Sequence, residues 1–185
     1  MPNNPRATDP ILVDMSTFLA PGDNQLELLP SAGTQSLLMM RFASTHWLPW
    51  AQTQVRSSPE LRLGVQFDRL ESNAGEPVRC SVKAERVGFR GYGMMLAEIG
   101  LPPGAEVDRA SLESLLDEGS AGVDRYDVLP DRVIFYLWPT AGGASFEFYL
   151  HARMAMSAKT APSVLYDYYN PEALSEVAPV KWVVK

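Results

Sequence analysis

The 185 residues carry 22 acidic and 16 basic side chains, a net charge of -6, with 46% hydrophobic and 21% charged residues. That balance fills a core, keeps the surface solvated and excludes the basic face that nucleic-acid binding needs. No apolar run reaches the roughly 20 residues of a membrane-spanning helix. The opening Met1-Pro2-Asn3-Asn4-Pro5 has no basic-then-apolar signal-peptide order.

In chain order, a polar and Pro/Asn-rich start leads into apolar stretches at Ile11–Leu19, Gln25–Leu29 and Ser36–Ser44. All three read as strands, separated by the turn chemistry of Pro21-Gly22-Asp23-Asn24 and by Gly33. After His46-Trp47-Leu48-Pro49-Trp50, the polar stretch 52–58 reads as a linker, which divides the chain into 1–57 and 58–185. Beyond it a period of two is clear. Leu61, Leu63, Val65 and Phe67 alternate with polar or small residues, and Val78, Cys80, Val82 and Ala84 repeat the pattern. Such one-sided strands belong to antiparallel sheets packed on a core.

Further strands are expected at Met94–Ile99, Arg132–Trp138, Ser145–Met154, Val164–Tyr169 and Val180–Val184. In the longest, Phe146, Phe148, Leu150, Ala152 and Met154 form the inward row. Pro130-Asp131 joins Tyr126–Leu129 to Arg132–Trp138 as a hairpin. One stretch departs from the pattern. Leu112, Leu115 and Leu116 recur at helical spacing, with Asp108 as N-cap and Gly119 as stop. Arg109, Glu113 and Asp117 then line its wet side. The fold class is all-β, an antiparallel two-sheet sandwich of immunoglobulin-like type with one short inserted helix.

No constellation for catalysis follows from the residues. Of the two histidines, His151 falls on an outward row beside Tyr149 and Arg153, and His46 adjoins Trp47 near the linker. Nucleophile elbows, paired Cys-x-x-Cys and phosphate-cradling glycine loops do not occur. Cys80 is the lone cysteine and lies on an inward row, as an inert core thiol. No cofactor or metal is called for. Tyr166-Asp167-Tyr168-Tyr169 is the densest aromatic run; period-two geometry places Tyr166 and Tyr168 on one face, and Asp167 and Tyr169 on the other.

Over residues 58–185 the order of these elements resembles the receptor-binding domain of the alpha-macroglobulins. The matching stretches are Gly93–Gly104, the helix Ser111–Leu116, Asp124-Arg125-Tyr126-Asp127, Arg132–Leu137 and Ala161–Glu172, whose Tyr166-Asp167-Tyr168-Tyr169-Asn170-Pro171 is similar to the family's terminal signature. Val13–Asn24 is similar to strands that, in the family, complete a β-domain split around a thioester domain.

The resemblance implies a non-catalytic C-terminal module of a protease-trapping inhibitor, with the remaining domains of a parent chain and the trapped proteases as partners. It implies an extracellular or periplasmic setting within a larger exported chain, or a cytoplasmic one should Met1 be the true start. The thioester motif Cys-x-Glu-Gln is missing, since Ser81, Val82 and Lys83 follow Cys80. Where animal relatives carry two receptor-binding lysines on the helix, this chain has Arg109 and Glu113. The first exchange loses the compact ammonium and the second reverses the charge, so the expectation is a bacterial-type relative that does not bind the animal endocytic receptor. A free-standing binding or adhesion module using the Tyr166–Tyr169 surface is the alternative.

Overall fold

The computed structural model describes residues 12–27, 29, 41–45, 48–88, 93–119, 122–138 and 143–185. The chain divides into two units, Met1–Thr45 and His46–Lys185. In the first, the described residues form one regular element, a 3-10 turn at Ser16–Phe18. The strand expected at Ile11–Leu19 is absent over its described residues 12–19, and none is present at 25–27 or 41–44. A strand needs a partner for its backbone N–H and C=O groups; alternation alone does not supply one. Most of Ser36–Ser44 lies outside the described residues.

The second unit is the sandwich. Its strands are β1 (Leu61–Phe67), β2 (Glu71–Ser72), β3 (Val78–Arg86), β4 (Met95–Gly100), β5 (Ala105–Val107), β6 (Val123–Val128), β7 (Arg132–Leu137), β8 (Ala144–Ala152), β9 (Met156–Lys159), β10 (Ser163–Asp167), β11 (Leu174–Val177) and β12 (Lys181–Val184). One sheet runs β1-β3-β8-β5 and the other β11-β10-β4-β7-β6, with every pairing antiparallel. The fold is thus the expected all-β sandwich. A third, small sheet, β2-β12-β9, contains a parallel pairing of β12 with β2.

The period-two rows become the core. Val78, Cys80, Val82 and Ala84 of β3 are buried, as are Phe146, Phe148, Leu150 and Ala152 of β8. They meet Met95, Ala97 and Ile99 of β4 and Val133, Phe135 and Leu137 of β7. Phe135 is wedged between Phe146 and Phe148, with ring centroids 4.6 and 5.4 Å away. Met154 does not extend the β8 row. The strand ends at Ala152, whose carbonyl accepts from Gly75 N–H (2.8 Å), and Met154 is exposed in the bend beyond.

The helix α1 (Arg109–Glu118) begins at Asp108, whose carboxylate accepts from Ala110 N–H at 3.1 Å. Gly119 ends it in the left-handed conformation, φ 59°. Leu112 and Leu115 pack into the core while Leu116 remains exposed.

Candidate interaction surface

The signature run sits where β10 leaves the sheet. Tyr166 and Asp167 end that strand, on opposite faces, and the chain then bends at Tyr168 and Tyr169. The expected alternation through Tyr169 therefore stops at Asp167, because Asp167 caps the turn. Its Oδ1 accepts from the N–H groups of Tyr169 (2.8 Å) and Asn170 (3.0 Å). This is the local side-chain-to-backbone bonding that favours Asp at turn starts. Its Oδ2 accepts from the Arg86 guanidinium at 2.7 Å.

Arg86 and Asp167 end the inward rows of β3 and β10, so the pair ties the two sheets together at one end of the core. Both side chains are 13% exposed. Burial raises the Asp167 carboxyl, but the bonds from Arg86, Tyr169 and Asn170 outweigh it and hold it below the usual carboxylate range. Gly93 lies against the cluster, within 4 Å of Arg86, Asp167 and Tyr169 as judged by where a Cβ would sit.

On the outer face, Tyr166 donates to Glu98 Oε1 (2.9 Å) and Arg132 donates to Glu98 Oε2 (2.5 Å). Burial, with the Glu98 carboxylate next, pushes the Tyr166 phenol up to about 12. Beside this network the Arg125 guanidinium stands 4.0 Å over the Tyr136 ring, a cation–π contact. Tyr168 and Tyr169 meet edge to face at 5.1 Å and remain exposed, Tyr169 at 72%. Of the four signature aromatic-run residues, Tyr166 and Asp167 are thus committed to internal bonds. Tyr168 and Tyr169 are the pair presented to solvent.

The turn continues through Asn170 and Pro171. The Asn170 carbonyl accepts from Ala173 N–H, and the Ala173 carbonyl from Asp167 N–H, which closes the connection from β10 to β11. Arg109 and Glu113 lie exposed on α1, one turn apart and well away from this hairpin in sequence. The structure does not gather them with the tyrosines into one site through any hydrogen bond or ion pair among the described residues.

Among the described residues, Cys80 and His151 are the remaining candidates for chemistry. Cys80 is fully buried, and burial raises its thiol far above the ordinary value, with Glu147 adding to the effect. His151 faces the Glu106 carboxylate at 3.6 Å, which Arg153 also bonds at 2.7 Å. His46 lies outside the described residues. Among the described residues no cluster of three or more His, Cys, Asp or Glu is arranged to hold a metal, and no helix is long and apolar enough to cross a membrane.

Residues 90–178 match the family profile described as the A-macroglobulin receptor binding domain. Among solved structures, native alpha-2-macroglobulin of Escherichia coli is similar at 13% identity and TM-score 0.62, over 75% of this chain and 10% of that one. The crystal structure of the same protein from domain MG7 to the C-terminus gives 13% identity and TM-score 0.58, over 70% of this chain and 25% of that one. The form activated by porcine elastase gives 13% and 0.60, over 72% and 14%. This chain therefore spans a quarter or less of each of those chains, and at such identity the likeness is one of fold. No curated protein matches by sequence.

Proposed function

We propose, from the match of residues 90–178 to the A-macroglobulin receptor binding domain, that the chain is the C-terminal module of an exported, protease-trapping inhibitor. Residues 58–185 are then the terminal sandwich, and residues 1–57 close a split β-domain whose other strands lie elsewhere in the parent chain. The observation that carries the reading is the family match, which falls on the β4-to-β11 core of the sandwich. The exposure of Leu12, Phe18 and Leu29, at 90%, 75% and 80%, supports the second part, since apolar side chains in that number call for a covering surface.

The role is structural rather than catalytic. The Asp167–Arg86 tie and the Glu98 network stiffen the module, and no nucleophile–base pair accompanies them among the described residues. Arg109 and Glu113 on α1 leave no paired lysine ammoniums for an animal endocytic receptor, so the module acts within its parent chain. The decisive experiment is to incubate the parent chain with an active protease. Expected is a complex in which the protease still cleaves small peptides but not large protein substrates. Full activity on both substrates would overturn the proposal.

One observation favours a second reading, a binding module using the exposed Tyr168–Tyr169 pair, because aromatic faces stack on flat ligands. A glycan array probed with the chain and with its Tyr169→Ala variant decides this: specific binding lost in the variant would support it.

A further inference from the structure

The stretch 52–58 is a linker by its composition, yet its last three residues, 56–58, are bonded along the outer edge of β11. Ser57 and Ser175 form an antiparallel bridge. Around it Glu176 N–H donates to the Arg56 carbonyl (2.9 Å) and Ser58 N–H to the Leu174 carbonyl (2.7 Å). The Ser58 hydroxyl accepts from Leu174 N–H at 3.0 Å.

Glu176 holds the segment twice. Its Oε2 accepts from the Arg56 backbone N–H at 3.0 Å, and its Oε1 accepts from Arg56 Nε and Nη2 at 3.0 and 2.6 Å. The Ser58 hydroxyl also reaches the Glu172 carbonyl at 3.4 Å, so the β10–β11 turn that carries the signature helps to hold the linker.

What is missing from this attachment is apolar burial. Val55 is exposed, the Arg56 side chain is 68% exposed, and an open cleft of about 530 Å³ runs beside the segment, lined by Arg56, Ser57, Ser58, Pro171, Glu172 and Leu174. Polar contacts at a surface add little net free energy each. Segments held by few buried apolar contacts open locally while the core stays closed. Just downstream, by contrast, Leu61 is fully buried and β1 is zipped to β3 over seven residues.

We propose that Arg56–Ser58 is a detachable strap: an extra edge strand that Glu176 latches to β11 and that fixes the direction in which the chain enters the sandwich. Its release leaves the sandwich intact, swings the upstream chain free at the turn before Leu61, and uncovers the backbone groups of Leu174 and Glu176. The geometry requires nothing of the trapping role; the strap works the same way in any protein that holds this sandwich.

Amide hydrogen exchange on the full chain tests it, read at Ser58 and Glu176 against Leu165, which is paired on both sides within its sheet. Ser58 and Glu176 should exchange at least about 100-fold faster than Leu165. Glu176→Gln should speed them by about 10-fold more with Leu165 unchanged, and Arg56→Ala, at an exposed side chain, should do the same. Protection at Ser58 equal to that at Leu165 would overturn the proposal. So would a Glu176→Gln variant whose Ser58 exchange does not change, or variants that speed Leu165 as much as Ser58.

Discussion

Phe135 and Phe18 carry the same side chain to opposite fates, one fully buried between Phe146 and Phe148, the other 75% exposed. Both lie in stretches whose apolar residues suggest strands. The difference is in partners. β7 is paired on both sides, with β4 and β6, and its inward row meets a second sheet. Phe18 sits in a 3-10 turn, with no strand pairing to it among the described residues. An apolar pattern is thus a request for a sheet, and the sandwich answers it where the described residues among the first forty-five do not.

Substitutions can break or sharpen this contrast. The largest effect belongs to Phe135→Ala, which empties a ring-sized volume in the core; about 3–5 kcal/mol of stability should be lost in urea denaturation of the full chain. Next comes Asp167→Ala, which strands the Arg86 charge at the edge of the core and removes the cap on the β10–β11 turn. A cost of roughly 3 kcal/mol is expected.

The same carboxyl gives a pH signature. Its value in the folded chain lies below the ordinary 3.8. Its contribution is therefore fully present above that ordinary value and is lost as pH falls through the lower folded one. Stability measured from pH 5 down to pH 2 should fall less steeply in Asp167→Asn than in the wild type. At the start of α1, Asp108→Ala removes the bond to Ala110 N–H and should cost about 1 kcal/mol. Smallest of all, Phe18→Ser should leave sandwich stability within about 0.5 kcal/mol. A loss approaching that of Phe135→Ala would mean that Phe18 is covered in solution.

Legibility in the sequence followed the strength of local signals. The rows of β1, β3 and β8 could be read because each alternates over seven or nine residues. So could α1, whose cap, leucine spacing and terminal glycine agree. β11 is not legible in the sequence for a physical reason: its most buried side chain is Ser175, whose hydroxyl accepts from Leu63 N–H at 3.3 Å, so the strand presents a polar residue where a pattern seeks an apolar one. β2, β5 and β9 are two to four residues long, too short to show a period.

At the signature, the aromatic run suggested two alternating faces through Tyr169. The turn capped by Asp167 ends the strand two residues earlier. The stretch 52–58, polar and Ser-rich, reads as free linker because nothing local indicates that a strand edge 120 residues away needs covering.

By itself, then, the sequence determined which residues face inward along each long strand and where the helix starts and stops. Side-chain direction in a strand or helix follows from the geometry of a few neighbouring residues. Only the tertiary structure decided that Arg86 meets Asp167, that Glu98 gathers Arg132 and Tyr166, and that Glu176 latches Arg56. Those partners are 34 to 120 residues apart. They come together because closing two sheets over one core leaves particular edges and row ends with charges and backbone groups that must be satisfied.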